Sequence, residues 1–178
     1  MPSPTDHEAR WRALIRSIPD FPQPGVLFRD ITPLLHDSDA LRAANDAIAE
    51  RAREMGATAI AGIEARGFIF GVPVAERLGL PFLPVRKPGK LPGDLESVTY
   101  DLEYGQDSLE MHRDPPIDGH SVVVVDDLLA TGGTAEATAK LVCAVGGELV
   151  GFAFLVELSD LGGRERLVDV AVSSLLQY

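Results

Sequence analysis

A single cysteine, Cys143, among 178 residues leaves no partner for an internal disulfide, which removes the secreted disulfide scaffold and points to a reducing compartment. Long apolar runs are also missing. The longest, VVVV at 122–125 and LVGFAFLV at 149–156, fall far short of the roughly 20 residues that a membrane helix needs. The N-terminus, MPSPTDHE, has no apolar signal region, so a cytoplasmic protein without a membrane partner is expected. Positive charge is scarce too: 16 Lys and Arg stand against 27 Asp and Glu, a net charge of −11. Such a surface repels phosphate backbones, and nucleic acid is not an expected partner. Neither GxGxxG nor a Gly-Lys-[Ser/Thr] loop occurs, so dehydrogenase and nucleotide-hydrolase readings lose their main support.

What remains is an ordinary globular composition, 46% apolar and 24% charged, of a length that suits one domain spanning residues 1–178. No repeat or low-complexity tract interrupts it. Thr5 and Glu8 read as a capping box, and Trp11, Leu14, Ile15 and Ile18 follow at helical spacing, so a helix is expected over 6–17. Pro19, Pro22, Pro24 and Gly25 then forbid a regular helix or central strand, and this stretch reads as an ordered loop with aromatic anchors. Asp37 or Ser38 can cap a second helix with Leu41, Ala44, Ile48, Ala52 and Met55 inward, ending at Gly56.

Four apolar runs follow, at 57–63, 80–85, 121–126 and 149–156, separated by helical or loop segments. Such runs are strands buried on both faces, and the alternation implies a parallel α/β sheet. Between 97 and 111 the pattern changes to strict alternation around a turn at 104–107, which predicts a half-exposed hairpin projecting from the sheet. Cys143 is expected as a small residue in a helix core.

The sharpest feature is SVVVVDDLLATGGTAEAT, 121–138. A valine strand delivers Asp126 and Asp127 at its exit, Ala130-Thr131-Gly132-Gly133-Thr134 forms a loop of small residues, and an Ala-rich helix follows. Ligands of open α/β sheets bind outside the carboxyl ends of the strands. Glycines let backbone N–H groups approach an anion, threonine hydroxyls add donors, and the helix offers its positive end, which makes a phosphate cradle flanked by two carboxylates. The plain alternative is a strand-loop-helix connection whose acids only cap or face solvent.

VVVVDDLLATGGT is similar to the phosphoribosyl-diphosphate motif of the type I phosphoribosyltransferases. FPQPGVLFRDITPLL (21–35), EARGFIFG (64–71), VRKPGKLPG (85–93), YDLEYGQDSLEMH (100–112), VELSDLGGRERL (156–167) and SLLQY (174–178) resemble the adenine-specific branch of that family, covering about residues 14–178 in register. The resemblance implies an α/β fold with a central, mostly parallel sheet flanked by helices, a small hood over 1–35 and a flexible hairpin lid over 89–114. It implies transfer of 5-phosphoribosyl from phosphoribosyl diphosphate to adenine, giving AMP and pyrophosphate. Residues 130–134 are then expected on the 5-phosphate, with Asp126 and Asp127 facing the ribose hydroxyls directly or through Mg²⁺ and its waters. Ala65, Arg66, Arg86, Lys87 and Lys90 are expected on pyrophosphate; three of these bases fall within five residues and otherwise read as a solvated loop face.

By the same resemblance Phe28 stacks on adenine while backbone groups of Leu27 and Arg29 read its edge; without it, Phe28 reads as a core aromatic. Glu103 matches the position that protonates the other imidazole nitrogen of the purine, with Tyr104 beside it in the lid; its alternative is an exposed strand carboxylate. A homodimer is expected, because in related enzymes a basic residue here reaches a neighbouring site. One departure stands out: Glu64-Ala65-Arg66-Gly67 replaces the Asp-Ser-Arg-Gly often found in the family, so a hydroxyl contact to pyrophosphate is lost. Trp11 and the histidines, His7, His36, His112 and His120, lack metal-ligand spacing and read as structural or surface residues. Rival readings are a transferase for another purine, such as xanthine or hypoxanthine, and a non-catalytic regulator that binds the same donor.

Overall fold

Strands β3 (Ala59–Ile63), β4 (Phe82–Val85), β7 (Ser121–Leu129) and β8 (Glu148–Glu157) are the four apolar runs, and β9 (Ala171–Gln177) joins them. They form one parallel sheet in the order β4-β3-β7-β8-β9. The computed structural model describes residues 4–101 and 105–178. Their contacts divide the chain into two compact units, Met1–Ala47 and Ile48–Tyr178.

The larger unit holds the sheet. Every residue of β3 is buried, as is every valine of β7, because parallel sheets are covered on both faces. Side chains alternate along a strand. Ala59, Ala61, Ile63, Val122, Val124, Phe152 and Phe154 therefore share one face and pack with Leu109, Met111, Ala137, Leu141 and Val142. The cover on that side is helix α5 (Gly133–Ala144) with the hairpin β5 (Leu95–Asp101) and β6 (Gln106–His112), while helix α4 (Arg66–Leu78) lies against β3, β4 and β7.

The hairpin is more embedded than a projecting arm. Leu109 and Met111 are buried, β5 and β6 pack on α5, and Arg86 and Glu110 exchange backbone hydrogen bonds of 3.0 and 2.7 Å that tie β6 to the chain just beyond β4. Part of the segment expected as a lid thus belongs to the core. Cys143 corrects another expectation, since it is exposed. The inward stripe of α5 is set by Ala137, Thr138, Leu141 and Val142 at helical spacing, which turns position 143 outward.

In the smaller unit, helix α1 (Pro4–Ala13) stops before the expected end, and Thr5 lies inside the helix rather than at its cap. Residues 18–30, expected as a loop, instead join Arg16 and Ser17 from the end of the expected helix in a two-stranded antiparallel ribbon, β1 (Arg16–Pro19) with β2 (Leu27–Asp30). Proline is tolerated because this ribbon is all edge and Pro19 closes its strand. Asp20 turns the chain at a φ of 57°, and its carboxylate accepts the Gly25 N–H at 2.8 Å. Asp30 accepts the Thr32 N–H at 2.9 Å at the start of the short helix α2 (Thr32–His36); hydrogen bonds from Thr32 and then Arg16 draw its pKa down to about 2. Asp37 caps helix α3 (Ser38–Glu54) as expected, accepting the Ala40 N–H at 3.0 Å. Trp11 is structural: buried, it donates from Nε1 to the Ala40 carbonyl at 3.0 Å.

Phe152→Ala removes a fully buried ring from the sheet core and is expected to cost about 3–5 kcal/mol in urea unfolding. Val168→Ala, at a site 68% exposed, is expected to stay within about 0.5 kcal/mol of the parent.

Candidate active site

Pairing of β7 with β3 ends at Val125, opposite Gly62, whereas pairing with β8 continues to Leu129 opposite Glu157. The strand therefore runs on past its neighbour, and Asp126 and Asp127 occupy the stretch where one edge has become free. A cavity of about 300 Å³ opens there. Its walls are Glu64, Ala65 and Arg66 from the turn after β3, Lys87 and Tyr100, the two aspartates, and the whole of Ala130–Thr134.

The loop after β7 passes directly into α5. Gly132 adopts a left-handed φ of 82° as its N-cap, and Gly133 and Thr134 are the first helical residues. The opening N–H groups of a helix have no intrahelical acceptor and point outward, so the rim of the cavity presents backbone donors at the positive end of a twelve-residue helix. This is an anion cradle.

The acids sit against it in a strained electrostatic state. Asp127 is 2% exposed and Asp126 keeps only part of its surface open. Desolvation, followed by the charge of Asp127, pushes the Asp126 carboxyl well above the usual carboxylate range. Asp127 is raised as well, again by burial, with Arg66 opposing the shift. Arg66 Nε lies 2.9 Å from Asp127 Oδ2, yet no hydrogen bond is aligned on that oxygen, so the contact is one of charge. The Asp127 N–H donates to Asp126 Oδ1 at 2.9 Å.

Arg66 opens α4, and the Glu64–Ala65 peptide before it is cis. Glu64 accepts a hydrogen bond from Arg86 Nε at 2.6 Å. Lys87 pairs with Asp107, which holds its pKa above the ordinary lysine value. The Asp107 carboxylate also accepts from the Tyr100 hydroxyl at 3.3 Å, and Thr134 Oγ1 donates to that hydroxyl at 3.4 Å. Arg86 and Lys87 of the basic run are thus each paired with a carboxylate.

Of the residues expected on pyrophosphate, Ala65, Arg66 and Lys87 line the cavity. Arg86 and Lys90 do not line it; Arg86 donates to the Lys90 carbonyl at 3.1 Å. Leu27, Phe28 and Arg29 lie on β2 in the smaller unit, where Phe28 meets Phe21 edge-on at 5.1 Å and Arg29 donates to Ser17 Oγ at 2.5 Å. Glu103 and Tyr104 fall outside the described residues.

Gly67 is a residue that sequence reasoning passed over. A Cβ there would come within 2.8 Å of Asp126 Oδ1 and 3.0 Å of the Val125 carbonyl, so only glycine lets the start of α4 press on the acid pair. Its signal was its place one residue after Arg66.

With this geometry in view, the chain can be set beside known proteins. Residues 32–176 match the model of the phosphoribosyl transferase domain. The chain belongs to that family. The adenine phosphoribosyltransferase of Microcystis aeruginosa is 54% identical over 169 residues, covering 94% of this chain and 98% of that one. The crystal structure of adenine phosphoribosyltransferase from Thermoanaerobacter pseudethanolicus is similar at a TM-score of 0.93 and 48% identity, covering 96% of this chain and 99% of that one. The Saccharomyces cerevisiae enzyme, solved with an imino-altritol bisphosphate and adenine, is similar at 0.91 and 35%, covering 96% and 99%. The fold is accordingly the type I α/β fold, with a parallel sheet flanked by helices and a hairpin beside it.

The raised acids set a pH signature. A carboxyl whose folded pKa exceeds its unfolded one withdraws stability as pH climbs from the unfolded value to the folded one, and costs nothing below both. Asp126→Asn, which keeps an oxygen for the Asp127 N–H, is expected to raise the Tm of the ligand-free protein at neutral pH. The gain should fade towards the ordinary carboxyl value of 3.8. A pH-independent difference in Tm, or none, would contradict the electrostatic account.

Proposed function

We propose that the chain transfers the 5-phosphoribosyl group from phosphoribosyl diphosphate to adenine, producing AMP and pyrophosphate in purine salvage. The observation that carries this reading is the cavity at the free edge of β7, where an anion cradle, the buried Asp127, the half-buried Asp126 and Arg66 converge. It stands in a chain whose near-full-length relatives bear the name adenine phosphoribosyltransferase.

In this reading Thr131–Thr134, with Ala130 behind them, hold the 5-phosphate through backbone donors and the two threonine hydroxyls. That places the ribose over Asp126 and Asp127, whose carboxylates accept from its hydroxyl groups. As the bond from the anomeric carbon to diphosphate breaks, its electron pair leaves with the diphosphate and positive charge grows on the ribose. The aspartates stabilise that charge, the more so because they are shielded from water. Arg66 and Lys87, the Ala65 backbone, and Arg86 and Lys90 oppose the charge of the leaving group. A purine nitrogen closes the new bond to carbon, and its proton passes to the released diphosphate or to water.

The acid pair suits Mg²⁺ held mainly by the substrate. Asp127 Oδ2 is a buried acceptor without an aligned donor, and among the described residues no group of three or more His, Cys, Asp or Glu could make a complete cage. Mg²⁺ usually binds through one or two carboxylates plus substrate phosphates and retained waters. When bound it would neutralise charge on the diphosphate and ribose oxygens.

Phe28 on β2 is assigned to stack on adenine, with Leu27 and Arg29 presenting backbone groups to its edge; Leu27 is 48% exposed and open to a ligand. Glu103 and Tyr104 are assigned to the purine imidazole and the lid. A homodimer belongs to the same reading, supported by the exposed apolar Ile69 and Val72 on α4. So does a cytoplasmic setting: among the described residues no helix is long and apolar enough to cross a membrane.

The deciding experiment is pyrophosphate release with Mg²⁺, phosphoribosyl diphosphate and a panel of purines. Adenine should be preferred over hypoxanthine and guanine by about 10⁴ in kcat/KM, since a site paired to an amino group leaves buried partners unmet by an oxo group. Turnover of either within about tenfold of adenine would overturn the specificity. Glu103→Ala is expected to lower kcat by about 10² to 10⁴ with donor affinity little changed. A kcat within about threefold of the parent would make that carboxylate a bystander.

A further inference from the structure

Glu157 is 4% exposed, charged, and takes no part in the chemistry described above. It ends β8 and is the second residue of VELSDLGGRERL, a motif to which the site assigns no task. Arg164 grips it with two hydrogen bonds, Nε to Oε1 at 2.8 Å and the terminal nitrogen to Oε2 at 2.5 Å. Ser174 Oγ adds a third at 2.7 Å, and Gln177 Nε2 approaches at 3.4 Å. Arg164 also donates to the Val172 carbonyl at 2.8 Å. Together these hydrogen bonds, Arg164 foremost, hold the carboxyl below its ordinary value, so it is ionised and committed to its partners.

The network folds residues 158–167 back in two short 3₁₀ turns, Ser159–Leu161 and Gly163–Arg166. That fold brings Gly163 against the anion cradle. A Cβ on Gly163 would overlap the Ala130 carbonyl oxygen and lie 3.0 Å from the Gly132 nitrogen. Conversely, a Cβ on Gly132 would lie 2.6 Å from the Gly163 carbonyl oxygen. Backbone packs on backbone here, with no flexible side chain to give way. One residue earlier the Leu158 N–H donates to the Leu129 carbonyl at 2.9 Å, fastening the base of the same loop.

We propose that residues 157–167 form a buttress that fixes the backbone of the phosphate loop from behind. Gly163 is its point of contact, and the Glu157–Arg164 pair pins it in place, which makes these three residues positioning residues for the donor's 5-phosphate. The proposal rests on the assignment of residues 130–134 to that phosphate. A cradle built from backbone N–H groups works only if those groups converge, and a shift of about 1 Å in such a site is enough to cost about 10² in rate. Gly163 is a clean place to test this, because it lies in a 3₁₀ turn without the left-handed φ that glycine favours. Alanine there perturbs contact with the loop rather than local backbone freedom.

The test compares the parent, Gly163→Ala, Arg164→Lys and Thr134→Ala in steady-state assays with adenine and phosphoribosyl diphosphate, alongside Tm. Gly163→Ala is expected to raise the KM for phosphoribosyl diphosphate and the inhibition constant of AMP by about tenfold or more, leaving the KM for adenine within about twofold. Arg164→Lys keeps the charge but loses the fork, and should do the same more weakly, by about threefold. A loss of Tm with unchanged donor KM in Gly163→Ala would overturn the buttress, as would equal rises in the KM of both substrates. If Gly163→Ala does not fold, Arg164→Lys decides by the same split. Thr134→Ala separates the premises: a raised donor KM there with none in Gly163→Ala or Arg164→Lys refutes the buttress and keeps the loop assignment. Unchanged donor KM in all three variants refutes both.

Discussion

Everything at the site depends on one mismatch of strand lengths. Because β7 keeps its partner β8 after β3 has stopped, it carries two aspartates into a stretch with protein on one side and open space on the other. Four valines make the strand rigid and bury it, and that rigidity fixes where the acids point. Gly67 then allows α4 to close on them from the free side. The result is a pair of like charges taken out of water with a single arginine beside them, an arrangement that the protein holds at a cost to its own stability and that a polyhydroxylated, metal-bound ligand would relieve.

Charge is organised locally against the global trend. In a chain of net charge −11, three cations at or beside the cavity each stand next to a carboxylate. Arg66 faces Asp127, Arg86 faces Glu64 and Lys87 faces Asp107. These pairs keep the basic side chains ordered around the cavity. At partly exposed positions they are individually weak, so an incoming phosphate group can compete for the cation.

The phosphate loop shows a second economy. Its donors are backbone groups, which cannot be tuned by changing a side chain, so their placement falls to packing. Glycine meets glycine where residues 132 and 163 touch, and a part-buried ion pair more than twenty residues beyond the loop holds the contact together. The shape of the loop at 130–134 and the stability of the C-terminal edge of the sheet are therefore parts of one structure.

Much of this was legible from residue patterns. The four buried strands, the second helix, the hairpin alternation and the loop at 130–134 all follow from hydrophobic period and glycine placement, because those signals are local. The short elements were not legible. The ribbon β1–β2 and helix α2 arise from pairing and from the hydrogen bonds of Asp30, which proline-rich sequence conceals, and β9 is a strand only because β8 offers it an edge. Cys143 turned outward because the stripe on α5 is chosen by what the helix packs against. Sequence alone determined which residues could serve an anion and a ribose: an acid pair, small residues at the mouth of a helix, and a basic run. Tertiary structure alone decided which of them meet, that Arg86 pairs with Glu64 away from the cavity lining, and that a distant glycine presses on the loop, because convergence in space depends on strand lengths and packing that no local pattern encodes.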